Sequence, residues 1–274
     1  MRAAAAALAV LTATAALAAP AASGAAAAQP RQRPITLNGQ DIVAALVADL
    51  AYFYRHAVPS APRFALTTGG TSGGMADTAR GIAGGGMVSR ALAPGDPPGL
   101  VLTRLARSGV CLISNRANPI ASISRAQLQD LVAGRVTSWS GFAGSRRTDA
   151  ITPVVLAPTV GGGRVFQNVF VDEATPVAWS PVTMISSTQA RDYVAQTPSG
   201  FGYADLALTG PVHVIAYQGV GCTQQTIRDG SYPATRPLGI VTRGRPRGAL
   251  GRFLRWVATS PTARRVIASR YVPG

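Results

Sequence analysis

The sequence predicts an α/β layered fold with mainly parallel strands. Hydrophobic residues make up 47% of the 274 residues and charged residues 14%, which is enough apolar surface for one large domain or two modest ones. After residue 34, short apolar segments of strand type alternate with segments whose apolar residues recur at helical spacing. Such alternation is typical of sheets whose strands are joined by helices.

The first part of the chain predicts a helix and two short strands with a glycine-rich loop between the strands. Asn38 or Asp41 would cap the helix. In chain order the segments are a helix over 41–57, a strand over 63–68, the loop "TTGGTSGG" at 67–74, a short helix over 75–85, and a strand over 85–92 that contains Ser89 and Arg90.

The second part continues the alternation. Ser124 and Gly134 mark the start and end of one helix. In chain order we predict a strand over 109–115, a helix over 124–136, a strand over 151–157, a helix over 164–171, a helix over 188–196, strands over 200–206 and 212–217, and a final helix or helix pair over 248–270.

Residues 1–28 read as a secretory signal peptide. Arg2 precedes an alanine-rich apolar run, and small residues offer cleavage after Ala18 or after Ala28. A membrane anchor is the alternative, although the run is weakly apolar for a spanning helix, and no later segment approaches the ~20 apolar residues that a span needs. We therefore expect a soluble protein that is periplasmic or secreted after cleavage.

Charge and residue usage argue against several kinds of site. The net charge is +15, and every one of the 26 cations is arginine, so the surface should attract anions. The two histidines, His56 and His213, lie in no metal-ligand spacing, and we find neither a nucleophile elbow nor a cofactor motif. Cys111 and Cys222 are candidates for a disulfide, but the sequence leaves their distance open.

Three loops follow predicted strands, where α/β sheets bind their ligands: 67–74, 89–90 and 161–164. Glycine allows close backbone approach, and a helix start offers unpaired N–H groups and a partial positive charge. In the first loop, Gly70, Thr71 and Ser72 would supply such groups. The loop is neither a P-loop nor a dinucleotide fingerprint, and a merely flexible turn is the alternative.

The order of motifs over residues 64–274 resembles the phosphate-binding-protein-like family of periplasmic solute receptors. The resemblance rests on "GTSGGMADTARGIAGGGMVSRAL", "GVCLISNRANPIASISRAQLQDLVAGRVTSWSGFAG", "ITPVVLAPTVGGGRVFQNVF", "GFGYADL", "IRDGSYPATRPLGIVTRG" and "FLRWVATSPTARRVIASRYVP". It implies a type II periplasmic-binding-protein fold, in which two mixed sheets flanked by helices are joined by a double-crossover hinge. The implied lobes are 35–108 plus 232–274 and 109–231.

The resemblance also implies a set of ligand residues. Thr71 matches a position where the family often has a serine donor, and Ser89 with Arg90 matches its Ser-Arg pair. The second loop departs from the family pattern, because Ala157 stands at the arginine position and Gly161, Gly162 and Gly163 replace Ser-Gly-Thr. Backbone N–H groups and Arg164 remain there. Arg236 could also reach the cleft between the two implied lobes, but it is not among the predicted ligands.

The resemblance implies a monomeric, non-enzymatic receptor that captures a small oxyanion, phosphate first, for the subunits of an ABC permease. The lost side chains leave open a weaker binder, a larger phosphorylated ligand or another oxyanion. The alternative is an envelope adhesion or scaffolding module with an altered site, which the basic surface also favours. A phosphate-ester hydrolase is a third hypothesis, without a readable nucleophile or metal cluster. We expect no nucleic-acid partner.

Overall fold

A computed structural model describes residues 33–157, 160–171, 175 and 178–274, so the predicted signal peptide lies outside the described residues. Within them the chain forms eleven strands and eight α-helices. The strands are β1 (Ile35–Gly39), β2 (Phe64–Thr67), β3 (Gly85–Val88), β4 (Leu100–Ser114), β5 (Ser122–Ile123), β6 (Thr152–Leu156), β7 (Val182–Met184), β8 (Gly200–Asp205), β9 (His213–Tyr217), β10 (Thr235–Arg243) and β11 (Val272–Pro273). The helices are α1 (Asp41–Ala57), α2 (Gly70–Arg80), α3 (Arg125–Val132), α4 (Gly161–Val169), α5 (Ser187–Gln196), α6 (Gln224–Arg228), α7 (Gly248–Thr259) and α8 (Pro261–Ala268).

The strands form a mixed sheet in the order β2-β1-β3-β10-β4-β8-β6-β7. β1 pairs in parallel with β2 and β3, and β6 pairs in parallel with β7 and β8. β10 and β4 run antiparallel to their neighbours in this order. The α/β class predicted from the sequence is confirmed, but the expectation of mainly parallel strands is wrong, because β10 and the long β4 insert antiparallel ladders between the two parallel groups.

β4 connects the two parallel groups. Its residues 100–109 pair with β10, whereas residues 110–114 pair with β8. The sequence predicted a strand only from residue 109, because arginines at 104 and 107 interrupt the apolar pattern before it. One continuous strand therefore runs from one half of the sheet into the other.

Two large apolar clusters lie on either side of the midpoint of β4. One draws its buried residues from 35–106 and 238–271, and the other draws them from 110–234 together with Val272. In the second cluster, Phe166 stacks on Tyr203 at 4.3 Å between ring centroids, which fixes α4 against β8. The lobe boundaries given by the resemblance stay a prediction.

Cys111 and Cys222 form a disulfide with a Cα–Cα distance of 5.5 Å. Cys111 lies on β4 and Cys222 immediately precedes α6, and both are buried in the second cluster. The bridge therefore attaches the α6 segment to the middle of the sheet. None of the helices in the described ranges is both long and apolar enough to cross a bilayer.

Candidate functional site

The carboxyl ends of three parallel strands meet at one edge of the sheet. Gln40 follows β1, residues 68–69 follow β2 and lead into α2, and Ser89 follows β3. On the other side, β6 leads through residues 157–160 into α4. The ends of parallel strands are the usual ligand position in α/β sheets, so the topology alone brings the predicted loops towards one place.

α2 and α4 begin without side-chain caps. The N-cap residues are Gly69 and Val160, and neither supplies a capping hydrogen bond. By contrast, α3 begins with a full capping box at Ser124. The first amides of an uncapped helix need an acceptor, and the helix dipole adds a partial positive charge there. Both helix starts are therefore suited to accept an anion.

A polar cluster of Gln40, Thr71, Ser89, Gly161 and Arg236 joins the two helix starts. The Thr71 hydroxyl lies 3.4 Å from the Ser89 hydroxyl and 3.3 Å from the Ser89 backbone nitrogen. The Gln40 amide oxygen lies 3.5 Å from both the Thr71 hydroxyl and the Gly161 nitrogen. All of these residues are buried. Several contacts are near the outer limit of a hydrogen bond, so the donors are held close together without being strongly committed to one another.

Arg236 is the buried cation of the polar cluster. Its Nη1 donates to the Ser89 hydroxyl at 3.1 Å, and its Nη2 pairs with the Asp205 carboxylate at 2.9 Å. The side chains of Arg236 and Asp205 are 1% and 0% exposed, and Ser108 donates to the second carboxylate oxygen at 2.6 Å. The Arg236 Nε is buried without a hydrogen-bond partner among the described residues. Asp205 therefore orients Arg236, while donors remain available on the guanidinium.

Glycine at position 161 is required by close packing. A Cβ placed there would lie 2.1 Å from the Ser89 hydroxyl oxygen and 3.0 Å from the Arg236 Nη1. No side chain fits at such distances, so only glycine lets the start of α4 approach the end of β3. Gly162 packs against Leu156 with Arg236 nearby, and Gly163 lies against the Leu156 carbonyl. The glycine run thus brings the α4 N-terminus to the polar cluster.

Arg90 is occupied by another partner in this structure. Its two terminal nitrogens pair with both oxygens of Asp96, at 2.7 and 2.5 Å. This hydrogen-bonded contact raises the pKa of Arg90 and lowers the pKa of Asp96. A weaker electrostatic contribution from Arg164, in the first turn of α4, also lowers the pKa of Asp96. An anion would have to compete with Asp96 for Arg90, so its role as a ligand stays a prediction.

The remaining predicted ligands are Gly70, Ser72 and Arg164. Gly70 begins α2 with a positive φ of 70°, and Ser72 and Arg164 are exposed. Ala157, which stands at the arginine position of the family pattern, is half-buried and donates its N–H to Met184. The roles of Gly70, Ser72 and Arg164 as ligands stay predictions. Within the described residues, no group of three or more His, Cys, Asp or Glu side chains is placed to hold a metal ion.

Sequence reasoning missed Gln40 and set Arg236 aside. Gln40 was missed because no strand was predicted over residues 35–39, so Gln40 did not stand out as the residue at a strand end. Arg236 lies in a segment with a proline and a glycine, which argue against a strand. No local signal singles out Arg236, because the strand also contains Arg243 and only the long-range pairing shows which arginine is buried and paired.

Comparisons with known proteins all find similarity to periplasmic binding proteins. A family model described as "PBP superfamily domain" matches residues 21–261. A solved structure described as a phosphate ABC transporter substrate-binding protein of Clostridium perfringens, with bound phosphate, superimposes with a TM-score of 0.80 at 20% identity and covers 88% of this chain and 99% of that one. An ABC-type phosphate transport receptor of Vibrio cholerae gives 0.69 at 22% identity, with 88% and 100% covered.

A curated relative is matched over a shorter region. It is phosphate-binding protein PstS 2 of Streptococcus pneumoniae, which is 30% identical over 105 residues. The match covers 38% of this chain and 36% of that protein, so it spans about a third of the relative's length. The solved structures support the type II fold of periplasmic binding proteins for the whole described chain.

Proposed function

Because the chain belongs to the PBP superfamily, we propose that it is an exported receptor that binds a small oxyanion, phosphate first, at the polar cluster. The relatives whose names include phosphate support this ligand. In this proposal the receptor delivers its ligand to an ABC permease and catalyses no reaction. Residues 1–28 direct its export and are then removed.

The observation that carries the proposal is the convergence of donors on one buried place. Two uncapped helix starts, two hydroxyls and a buried guanidinium meet there. The Asp205 carboxylate lies next to these donors, but it already forms a salt bridge with Arg236. A tetrahedral oxyanion offers acceptors in several directions, and each charge-assisted hydrogen bond to it contributes about 1.5–3 kcal/mol. Exclusion of water strengthens these bonds.

Arg236 supplies the positive charge that the family pattern has at the position of Ala157. The family pattern has a cation where this chain has Ala157, and the glycine run removes two hydroxyl donors. Arg236 supplies a guanidinium from β10 instead, next to the α4 start. We propose that Arg236 takes the role of the charged ligand, while Arg90 holds the loop after β3 through Asp96.

The test is calorimetry on protein that has been exported with its own leader. Mass spectrometry of the same protein gives the cleavage site. Ligand carried through purification is removed by unfolding in guanidinium and refolding with the disulfide intact. Saturable binding of phosphate at one site per chain supports the proposal. No heat and no thermal shift with phosphate, arsenate, sulfate or phosphate esters would contradict it.

We predict that Gly161→Ala weakens phosphate binding by tenfold or more. The added methyl group would lie 2.1 Å from the Ser89 hydroxyl oxygen, so the start of α4 must move away from β3. Fold stability should fall only modestly, because an overpacking cost of about 1–3 kcal/mol is partly offset by the roughly 1 kcal/mol by which alanine favours a helix over glycine. Calorimetry measures the affinity, and Gly210→Ala, where a Cβ meets nothing within 4 Å, is the matched control. Equal affinities would remove Gly161 from the site.

A second candidate function rests on the distribution of charge. Residues 230–274 contain nine arginines and no Asp or Glu, and eight of these arginines are exposed. This surface favours binding to a polyanion of the cell envelope, as expected of an adhesion or scaffolding module. Binding to such a polymer that falls steeply with salt, without a saturable small-ligand site, would support this function over transport.

A further inference from the structure

A cavity of about 530 Å³ opens beside the polar cluster. Gln40 belongs to both, and the first turn of α2 lines the cavity on one side. Val160 and the start of α5 line the opposite side. The lining residues are Gly39, Gln40, Asp41, Thr68, Gly69, Gly70, Ser72, Gly73, Val160, Ile185, Ser186 and Gln189.

The cavity is larger than a bare oxyanion requires. Phosphate has five heavy atoms, and at about 30 Å³ for each water-sized group it would fill on the order of 150 Å³. Cavities of about 300–1,000 Å³ commonly hold larger organic ligands. The remaining wall combines hydroxyl and amide side chains with the exposed apolar side chain of Ile185. Such a wall suits a short, partly polar substituent.

Asp41 distinguishes this cavity from the rest of the basic surface. Seven of the nine aspartates among the described residues form salt bridges with arginine: Asp49, Asp77, Asp96, Asp130, Asp149, Asp192 and Asp205. Asp229 instead accepts hydrogen bonds from Ser231. Asp41 accepts from the Gln40 side chain and the Ile42 amide, and it lines the cavity. Among the residues that the structure describes, no arginine pairs with it, which is unusual in a chain with net charge +15.

Gln40 connects Asp41 to the proposed anion site. Its Nε2 donates to the Asp41 carboxylate, and its Oε1 faces the Thr71 hydroxyl and the Gly161 nitrogen. The negative group and the cluster of donors are therefore separated by a single side chain. A ligand that satisfies both must carry an anion and a cation close together.

We propose that the ligand is a phosphorus oxyanion with a short aminoalkyl substituent, as in an aminoalkylphosphonate or an aminoalkyl phosphate ester. This inference rests on the proposed function, because the oxyanion would occupy the polar cluster. The substituent lies in the cavity, and its ammonium group pairs with Asp41. Ser186 and Gln189 face the substituent from the start of α5.

The first test compares three probes by calorimetry on the exported, ligand-free protein: inorganic phosphate, ethylphosphonate and 2-aminoethylphosphonate. We expect 2-aminoethylphosphonate to bind at least tenfold more tightly than ethylphosphonate. In Asp41→Asn this advantage should fall to less than about twofold, while phosphate binds somewhat more tightly because a negative charge has been removed. Unfolding of the same variant by urea checks that the loss of a helix N-terminal charge has not altered the fold.

The outcomes separate this inference from the proposed function. If phosphate binds and the amino group gives no advantage, the inference fails and the proposed function stands. An advantage that persists in Asp41→Asn also overturns the inference, since it assigns the ammonium group to another place. If none of the three probes binds, the proposed function itself fails, and the inference fails with it.

The second test fills the cavity. A Cβ at Gly73 meets nothing within 4 Å, and Gly73 lies in the first turns of α2, where a side chain is compatible with the helix. We expect Gly73→Leu to weaken 2-aminoethylphosphonate at least tenfold and phosphate less than threefold. Gly210→Leu is the matched control, since a Cβ there also meets open space. Equal weakening of both ligands in Gly73→Leu would show that the substituent lies elsewhere.

Discussion

Arg236→Ala is expected to weaken phosphate binding roughly a hundredfold and to lower the free energy of unfolding. Loss of about 3 kcal/mol from charge-assisted bonds corresponds to a factor of about 100 in affinity. The same change leaves the Asp205 carboxylate buried at 0% exposure without its cation. Removal of one partner from a buried ion pair costs about 3–5 kcal/mol of stability. Calorimetry and urea unfolding measure the two effects separately.

A paired variant distinguishes ligand binding from structural support. In Arg236→Met with Asp205→Asn, the buried charges disappear together, and the new amide oxygen can still accept from Ser108. We expect most of the stability to return, because a buried ion pair can often be replaced at little cost. Phosphate affinity should stay low. Recovery of affinity along with stability would mean that Arg236 acts only through the fold.

Arg90→Ala is the informative comparison for this pair of arginines. Arg90 and Arg236 both lie near Ser89, but each has its own carboxylate partner, Asp96 or Asp205. The Arg90 side chain is 20% exposed and that of Arg236 is 1% exposed, so an anion at Arg236 would be better shielded from water. The strength of the contact between a guanidinium group and an anion therefore depends on how deeply the arginine is buried. The Ser-Arg motif at residues 89–90 does not show that burial.

The sequence predicted the parts of the fold that follow simple periodicity. α1, α3 and α5 were located from their apolar spacing and caps, and the structure confirms them within a few residues. α2 was expected to begin at residue 75, since all eight residues of 67–74 are glycine, serine or threonine in a loop-like pattern. It begins at Gly70, so much of the predicted glycine loop is the first turn of a helix. These residues are therefore not a flexible loop: they form the N-terminus of a helix, whose N–H groups point in a defined direction.

β10 shows why the rest could not be predicted locally. Pro237 and Gly239 argue against a central strand, yet β10 lies between β3 and β4. β3 pairs only with residues 239–241, so Pro237 lies where β10 borders β4 alone. A register shift between Leu238 and Gly239 accommodates the change. The position of Arg236 depends on these long-range pairings, and no spacing within the segment indicates them.

Replacing both cysteines should lower the free energy of unfolding by about 2–5 kcal/mol. The bridge joins residues 111 positions apart, and closing a loop of about 100 residues contributes about 4.7 kcal/mol in the chain-entropy model. It also holds the segment before α6 against β4, where a Cβ at Gly109 would lie 2.7 Å from Ile227 and 3.0 Å from the Cys222 sulfur. The disulfide therefore acts both on the unfolded chain and on this packed contact.

Urea unfolding with and without reductant measures the contribution of the bridge. Wild-type protein should lose stability when reduced, whereas Cys111→Ala with Cys222→Ala should be less stable from the start and insensitive to reductant. Neither cysteine belongs to the polar cluster, so phosphate affinity should stay within about threefold at urea concentrations where the variant is folded. An unchanged unfolding midpoint in the double variant would contradict the prediction. Because thiols pair in oxidising compartments, a large loss would also tie the stability of this fold to export.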